Sequence, residues 1–246
     1  MIGLGFVVEV RGEPFTLRIE NVIYHILKDR TRLNKFAHTY ARVLHQVFME
    51  ESERMYGDHR DIPPTRYRVV LAESAAALAS RTGAPWFTAG LYDPARDIFF
   101  FQNPLRLQER GILRKTVAHE LCHQVVVRAQ KRSKLAGRER EAWLEESYCE
   151  AHTASGVGCG RASAEVNRVV REAESIIDLR RAIETKSDRA SALRGLCLAR
   201  LWGAHLTNRY GQREIFRWMT TDRPEEIETI PAKIETAFTE FKTKFQ

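Results

Sequence analysis

Two histidines and a glutamate form the pattern His-Glu-x-x-His at residues 119–123. Residues four apart on an α-helix project from the same face, one turn apart, so the imidazoles of His119 and His123 could bind one metal ion. Zinc lowers the pKa of a bound water towards ~7, and Glu120 stands beside the histidines, where it could accept a proton from that water. The spacing therefore predicts a catalytic zinc site with His119 and His123 as ligands and Glu120 as the general base.

The alternative for this segment is a surface helix that carries two solvated histidines. Apolar residues recur on one side of the helix, however, which predicts that this side is buried: Val117, Leu121, Val125 and Val126. Buried imidazoles need polar partners, and a metal ion is a suitable one. Five other histidines have no ligand spacing and are expected to be structural: His25, His38, His45, His59 and His152.

The position of the third protein ligand distinguishes the classes of zinc peptidase. In metzincins the motif continues with a glycine and then a third histidine. This chain has Val126 and Ala129 at those two positions, which excludes the metzincin arrangement.

The segment at residues 142–150 resembles the downstream helix of the gluzincin superfamily of zinc peptidases. That helix commonly has the sequence Trp-Leu-x-Glu-Gly, and this chain has Trp143-Leu144-Glu145-Glu146-Ser147 in its place. The resemblance implies a zinc-dependent peptidase whose third metal ligand is Glu146. The serine in place of glycine, and a few extra residues between the two motifs, depart from the family pattern without removing a ligand.

Two further carboxylates lie on the same predicted helix. Glu150, one turn after Glu146, matches a family carboxylate that hydrogen-bonds a zinc-binding histidine, here expected to be His119. Such a bond would fix the tautomer of the ring and strengthen the ligand. Glu145 is one residue round the helix from Glu146 and is a weaker candidate ligand.

The resemblance extends upstream to the small bacterial peptidase-MA-like domains and covers residues 15–245. Their hairpin often has a sequence like that of Ala89–Asp93, and a segment like Arg110–Arg114 often introduces their metal-binding helix. Only the two metal motifs are specific to the family.

The resemblance implies an α+β, zincin-like fold in a single gluzincin-like metallopeptidase domain that spans residues 1–246. An α/β lobe at 1–130 would contain a small mixed sheet, helices and the His-Glu-x-x-His helix. A mostly helical lobe at 131–246 would supply the glutamate ligand, and the active-site helix would lie between the two lobes.

The spacing of apolar residues predicts strands mainly in the first part of the chain and helices in the second. Strands are predicted within 5–20 (two strands around a turn), at 66–73, and as a hairpin at 87–102. Helices are predicted at 32–56, 74–81, 111–130, 139–154, 163–185, 190–210, 212–219 and 231–244.

Related domains tend to place a tyrosine on the helix that corresponds to residues 190–210, where it can stabilise the oxyanion of the transition state. This chain has no tyrosine there before Tyr210, so Arg200 and His205 are the candidate oxyanion donors. The same departure leaves a second function open, a non-catalytic or weakly active zinc-binding interaction module on the same fold.

The 246 residues are 43% hydrophobic and 29% charged, a balance typical of folded domains that argues against overall disorder. The net charge of +7, from 39 Lys and Arg against 32 Asp and Glu, favours anionic partners in general and motivates a third possibility, a nucleic-acid-associated protease. No basic motif interleaved with aromatic residues supports nucleic-acid binding. The expected partner is therefore a peptide or protein substrate.

No stretch approaches the ~20 apolar residues that a transmembrane helix needs. The first ten residues are apolar but lack the basic region and cleavage site of a signal peptide. The expected location is cytoplasmic for the chain as written, and exported if a leader has been removed ahead of Met1.

The four cysteines, Cys122, Cys149, Cys159 and Cys197, contain no Cys-x-x-Cys pair, which argues against a cysteine-rich zinc module. Free, buried thiols are the expected state. A disulfide between Cys122 and Cys149, on the two predicted metal-binding helices, is the alternative, and it would indicate an oxidising compartment.

Overall fold

The structure is a computed structural model that describes residues 15–19, 22–26, 34–59, 61–133, 141–153, 159 and 163–246. The chain divides into two compact units, and the boundary follows Val125, inside one long helix. Within the described ranges, no helix combines the length and the apolar character that crossing a lipid bilayer requires.

The first unit contains a five-stranded mixed sheet. Its strands are β1 (Phe15–Ile19), β2 (Val22–Ile26), β3 (Tyr67–Leu71), β4 (Gly90–Asp93) and β5 (Ile98–Phe101). They lie in the order β1-β2-β3-β5-β4, with β1 antiparallel to β2, β3 parallel to both β2 and β5, and β4 antiparallel to β5. The hairpin predicted at 87–102 is therefore confirmed, and its first strand, β4, forms one edge of the sheet.

Helices surround this sheet in the first unit: α1 (Asn34–Asp58), α2 (Ala75–Thr82), α3 (Pro104–Glu109) and the N-terminal part of α4 (Leu113–Arg132). Helix α1 packs on the sheet through Phe48, whose ring makes edge-on contacts with Tyr67 of β3 and Phe99 of β5. Helix α2 begins after Ser74, whose side chain accepts a hydrogen bond from the Ala77 N–H. It ends at Gly83, whose φ of 72° lies in the left-handed region that favours glycine.

In the second unit the regular secondary structure of the described residues is entirely helical. It consists of the C-terminal part of α4 and of α5 (Ala142–Thr153), α6 (Ser163–Glu172), α7 (Ile176–Glu184), α8 (Arg189–Tyr210), α9 (Gln212–Thr220), α10 (Pro224–Ile227) and α11 (Ile230–Thr243). Helix α8 packs against two of them through the buried ring of Trp202, which stacks near Trp143 of α5 and contacts Phe241 of α11. The α+β class, with a small mixed sheet followed by a helical region, is confirmed.

Several details differ from the sequence prediction. Strand β2 and the short helices α3 and α10 were not predicted, and the single helix expected at 163–185 is wrong. That segment contains two helices because Ser175 starts a new one: its side chain and that of Asp178 form a capping box. The earlier of the two strands expected within 5–20 lies outside the described residues.

The expectation of free thiols is also wrong. Cys159 and Cys197 form a disulfide, with a Cα–Cα distance of 5.7 Å. Cys122 and Cys149 are disulfide-bonded too, so none of the four cysteines is free. A spacing pattern could not reveal this, because pairing depends on which helices approach each other and not on separation along the chain.

Candidate metal centre

Helix α4 approaches the sheet closely at Gly90, the first residue of edge strand β4. A Cβ atom at this position would lie 2.7 Å from Cγ2 of Thr116 on α4 and 2.9 Å from the ring of Phe101 on β5. Carbon atoms normally pack ~3.5–4.0 Å apart, so the absence of a side chain permits this approach. Glu120 follows Thr116 by one helical turn and Tyr92 follows Gly90 by two residues, so the close packing brings Glu120 beside Tyr92.

The carboxylate of Glu120 is held by the backbone of that strand. The N–H of Tyr92 donates a hydrogen bond to Oε2 of Glu120 over 2.8 Å, and the Glu120 side chain is buried. An ionised carboxylate has about four acceptor positions on its two oxygens, so this bond orients the group and leaves it able to accept a proton.

A polar network that includes the Tyr92 hydroxyl connects three elements in the same region. The Tyr92 hydroxyl donates to Oδ1 of Asp97 over 2.8 Å, and Nε2 of Gln124 donates to the same oxygen over 2.8 Å. Oε1 of Gln124 in turn accepts from the Tyr56 hydroxyl over 2.9 Å. Because Gln124 follows Glu120 by one turn, the network ties the hairpin and α1 to the same face of α4.

Asp97 adopts an unusual backbone conformation in the hairpin turn. Its φ is 54°, and it is the one non-glycine residue with positive φ among the described residues. Asp tolerates this left-handed conformation better than most residues. The turn thereby directs its carboxylate back towards Tyr92 and Gln124.

The two histidines of the motif converge as the spacing predicts. The Nε2 atoms of His119 and His123 lie 3.1 Å apart, and the two rings meet edge to face. In a tetrahedral site with Zn–N distances of 2.0–2.1 Å, two ligand nitrogens would lie about 3.3 Å apart. The observed separation fits two ligands of one zinc ion, and both side chains are partly accessible.

The predicted carboxylates lie on α5 in the second unit. Glu146 is partly exposed, and its Oε1 lies 3.8 Å from Nζ of Lys186. Glu145 and Glu150, on either side of it, are buried. Of these three, Glu146 is therefore the carboxylate that is most accessible to a ligand.

Close packing against α8 fixes the position of α5. A Cβ atom on Gly203 of α8 would lie 1.9 Å from the carbonyl oxygen of Ser147 and 2.9 Å from Cβ of Ala151. The Ser147 hydroxyl donates to the carbonyl oxygen of Trp143 over 2.7 Å, inside the same helix. The absence of a side chain at Gly203 thus permits α8 to approach the backbone of α5 at Ser147.

Among the residues that the structure describes, one group of His, Cys, Asp and Glu side chains could hold a metal ion, and it consists of His119, His123 and Glu146. Two imidazoles and one carboxylate form a donor set that suits a catalytic zinc ion. These are the three ligands predicted from the sequence.

The candidate oxyanion donors have partners within the second unit. Nε2 of His205 donates to the carbonyl oxygen of Ala237 over 2.9 Å, and Nδ1 lies 2.8 Å from Nζ of Lys244. Burial, and secondarily the Lys244 ammonium, lower the pKa of His205 below its ordinary value. Arg200 donates to Sγ of Cys159 over 3.4 Å. A role for either residue in stabilising an oxyanion stays a prediction.

The sequence interpretation missed the residues that position Glu120, namely Tyr92, Asp97 and Gln124. One signal could have indicated Gln124, because it continues the one-turn spacing of Thr116 and Glu120 along α4. The chain matches no protein-family model, and no curated protein sequence matches it.

Proposed function

We propose that this chain is a zinc-dependent peptidase of the gluzincin type, with a zincin-like fold. The observation that carries the proposal is the geometry of α4. Two imidazole nitrogens lie 3.1 Å apart there, and the buried carboxylate of Glu120, next to His119 in sequence, is oriented by a backbone N–H. Two histidines could serve a structural role alone, but an oriented carboxylate beside them is what hydrolytic chemistry requires.

The proposed ligands are His119, His123 and Glu146, and their donor set supports zinc as the cofactor. When bound, zinc polarises a peptide carbonyl and makes a water molecule more acidic. Glu120 takes the proton of the attacking water on its carboxylate and then delivers it to the nitrogen of the leaving amine. Glu150 is proposed to hydrogen-bond His119 and so hold its ring in the ligating tautomer.

The substrate class proposed is a peptide or protein. Peptide-bond hydrolysis needs a water activator, a proton carrier and a polarising group. Glu120 would carry the proton, and a zinc ion held by His119, His123 and Glu146 would supply the other two roles. The net charge of +7 supports an anionic substrate region only weakly, because such an excess also occurs on ordinary solvated surfaces.

A non-catalytic or weakly active zinc-binding module is the second candidate, and one observation favours it. The hydroxyl of Tyr210, the only tyrosine of α8, donates to the carbonyl oxygen of Lys233 over 3.0 Å. It is therefore engaged in holding α8 against α11. Without a tyrosine donor on this helix, oxyanion stabilisation would depend on another group.

Casein cleavage by the purified, zinc-loaded chain distinguishes the two functions. We expect wild type to cleave casein and Glu120→Gln to retain zinc and fold but lose cleavage, since the substitution removes the base without removing a ligand. Glu109→Gln, an exposed change at the end of α3, is the matched control and should behave like wild type. Cleavage by Glu120→Gln at the wild-type rate would contradict the proposed base. Bound zinc without any cleavage by wild type would favour the binding module.

A further inference from the structure

A cavity of about 430 Å³ lies among the helices of the second unit. Its walls are mainly apolar: Trp143, Ile177, Trp218, Ile227 and Ile234 all contribute. This volume is within the ~300–1,000 Å³ range of small-molecule sites. None of its lining residues is a proposed zinc ligand or the proposed base, so the zinc chemistry does not account for it.

The polar groups of the cavity are strongly biased towards negative charge. Among the described residues that line it, four are glutamates, Glu141, Glu145, Glu228 and Glu235, and one is a cation, Arg180. Arg180 lies 3.3 Å from Glu141 and 3.2 Å from Glu184, so its charge is already shared between two carboxylates.

The two outer glutamates keep their charge uncompensated. Glu228 and Glu235 are exposed, and neither makes an ion pair with any residue in the described part of the chain. Glu145, in contrast, is buried in the wall. The cavity therefore combines an apolar interior with a negative electrostatic potential at its margin, which attracts cations and repels anions.

We propose that this cavity binds a small organic cation with an apolar body, such as an alkylammonium compound. The apolar part would displace water from the isoleucine and tryptophan walls. The cationic group would face Glu228 and Glu235 at the margin, because Nζ of Lys233 already lies 5.6 Å from the centroid of the Trp218 ring and Trp143 stacks near Trp202. This site does not rest on the zinc assignment, because none of the described residues that line it is a proposed zinc ligand or the proposed base.

Isothermal titration of the full chain with three six-carbon probes tests the proposal. Hexyltrimethylammonium should bind saturably and at least tenfold more tightly than hexanesulfonate, with neutral hexanol between them. Binding should also change the tryptophan fluorescence, because two of the four tryptophans line the cavity. An absence of saturable binding, or equal affinity for the cation and the anion, would overturn the proposal.

Charge variants locate the binding site. Glu228→Lys combined with Glu235→Lys should weaken hexyltrimethylammonium binding at least tenfold. Glu53→Lys combined with Glu109→Lys is the matched control: it makes the same charge change at exposed positions of the first unit that do not line the cavity. The control should change the affinity by less than about twofold at 0.15 M salt, because salt screens exposed charges that do not belong to the site. Equal effects of the two double variants would refute the assignment to this cavity.

Two serine substitutions, one inside and one outside the cavity, test whether its apolar wall contacts the ligand. Ile177 lines the cavity although it is 60% exposed, and Leu193 of α8 is 52% exposed but does not line it. Ile177→Ser should weaken the binding of hexanol and hexyltrimethylammonium alike by a similar factor, whereas Leu193→Ser should leave both unchanged. Because both residues are largely exposed, neither change should prevent folding. Unaltered affinity in Ile177→Ser would contradict the proposed wall.

Discussion

The backbone N–H of Tyr92 donates to Oε2 of Glu120 over 2.8 Å, so an edge strand of the sheet orients the carboxylate that follows the first histidine of the motif. Tyr92 lies on β4, which pairs with β5 alone among the described strands and so forms an edge of the sheet. Because its N–H donates to Glu120 on α4, it faces away from β5, where an edge strand would otherwise present an unpaired donor. This hydrogen bond gives the outward-facing N–H of β4 an acceptor, and it also fixes the orientation of the Glu120 carboxylate, the proposed base.

Tyr92→Pro removes this N–H, and Tyr92→Ala removes only the side chain. An outward-facing position on an edge strand tolerates proline, because no ladder hydrogen bond is lost. If the N–H positions Glu120, kcat for casein hydrolysis should be at least tenfold lower in Tyr92→Pro than in Tyr92→Ala, with zinc content unchanged. Comparing the two variants with each other cancels the loss of the hydroxyl that contacts Asp97. Similar kcat values would show that the N–H has no positioning role.

Glu146→Ala and Glu145→Ala separate the two candidate ligands on α5. If Glu146 binds zinc, its removal leaves only two protein ligands, so most of the zinc should be lost on dialysis. Glu145→Ala should retain about one zinc per chain, because that side chain is buried in the wall of the cavity described above. Elemental analysis of the dialysed proteins measures both. Full zinc occupancy in Glu146→Ala would exclude this ligand assignment.

Glu150→Ala tests the carboxylate expected to hydrogen-bond His119. Loss of such a partner typically weakens metal binding by about 10–100-fold, because the histidine loses its preferred tautomer and orientation. Competition with a zinc chelator measures the dissociation constant, and circular dichroism checks that the fold is retained. Wild-type zinc affinity in the variant would mean that Glu150 has no such role.

Gly203→Ala tests the close approach of α8 to α5. The added Cβ would lie 1.9 Å from the backbone oxygen of Ser147, so one helix must move, and we expect a loss of about 1–3 kcal/mol in the free energy of unfolding. Because α5 carries Glu146, zinc affinity should fall as well. Gly57→Ala is the matched control: no atom lies within 4 Å of its Cβ, and alanine favours the helix. Urea denaturation of the two variants would show no difference if this packing were unimportant.

The features that could be predicted from the sequence are those that depend on residue spacing and on side-chain chemistry. The placement of His119 and His123 on one helix face follows from their spacing. The bond from Tyr92 to Glu120 could not be predicted, because every non-proline residue carries the same backbone donor. The absence of a side chain at Gly90 allows α4 to approach β4, so that Glu120 can accept the hydrogen bond from the Tyr92 N–H.

Two other elements were missed for different reasons. Strand β2 has only five residues, and its pairing with β3 joins segments far apart in the chain, so no local pattern indicated it. The break between α6 and α7 did have a signal, the Ser-x-x-Asp sequence at 175–178 that forms a capping box. The continuous helical spacing of apolar residues across it concealed that signal.

The disulfide between Cys159 and Cys197 is expected to stabilise the helical unit. It closes a loop with a sequence separation of 38 residues. Cross-linking a loop of that length reduces the entropy of the unfolded chain by an amount that corresponds to about 4 kcal/mol at 25 °C, and measured values are typically 2–4 kcal/mol. Replacing both cysteines by serine should therefore lower the free energy of unfolding by about 2–4 kcal/mol in urea denaturation.

Thiol titration provides the chemical check. Because all four cysteines are disulfide-bonded, the unfolded protein should show no free thiol before reduction and four after it. Disulfides persist mainly in oxidising compartments, so protein folded under oxidising conditions should reach this state more completely than protein from a reducing cytosol. The serine double variant should show no free thiol before reduction and two after it. Free thiols in the unreduced serine double variant, purified from an oxidising compartment, would contradict the bonding of Cys122 and Cys149.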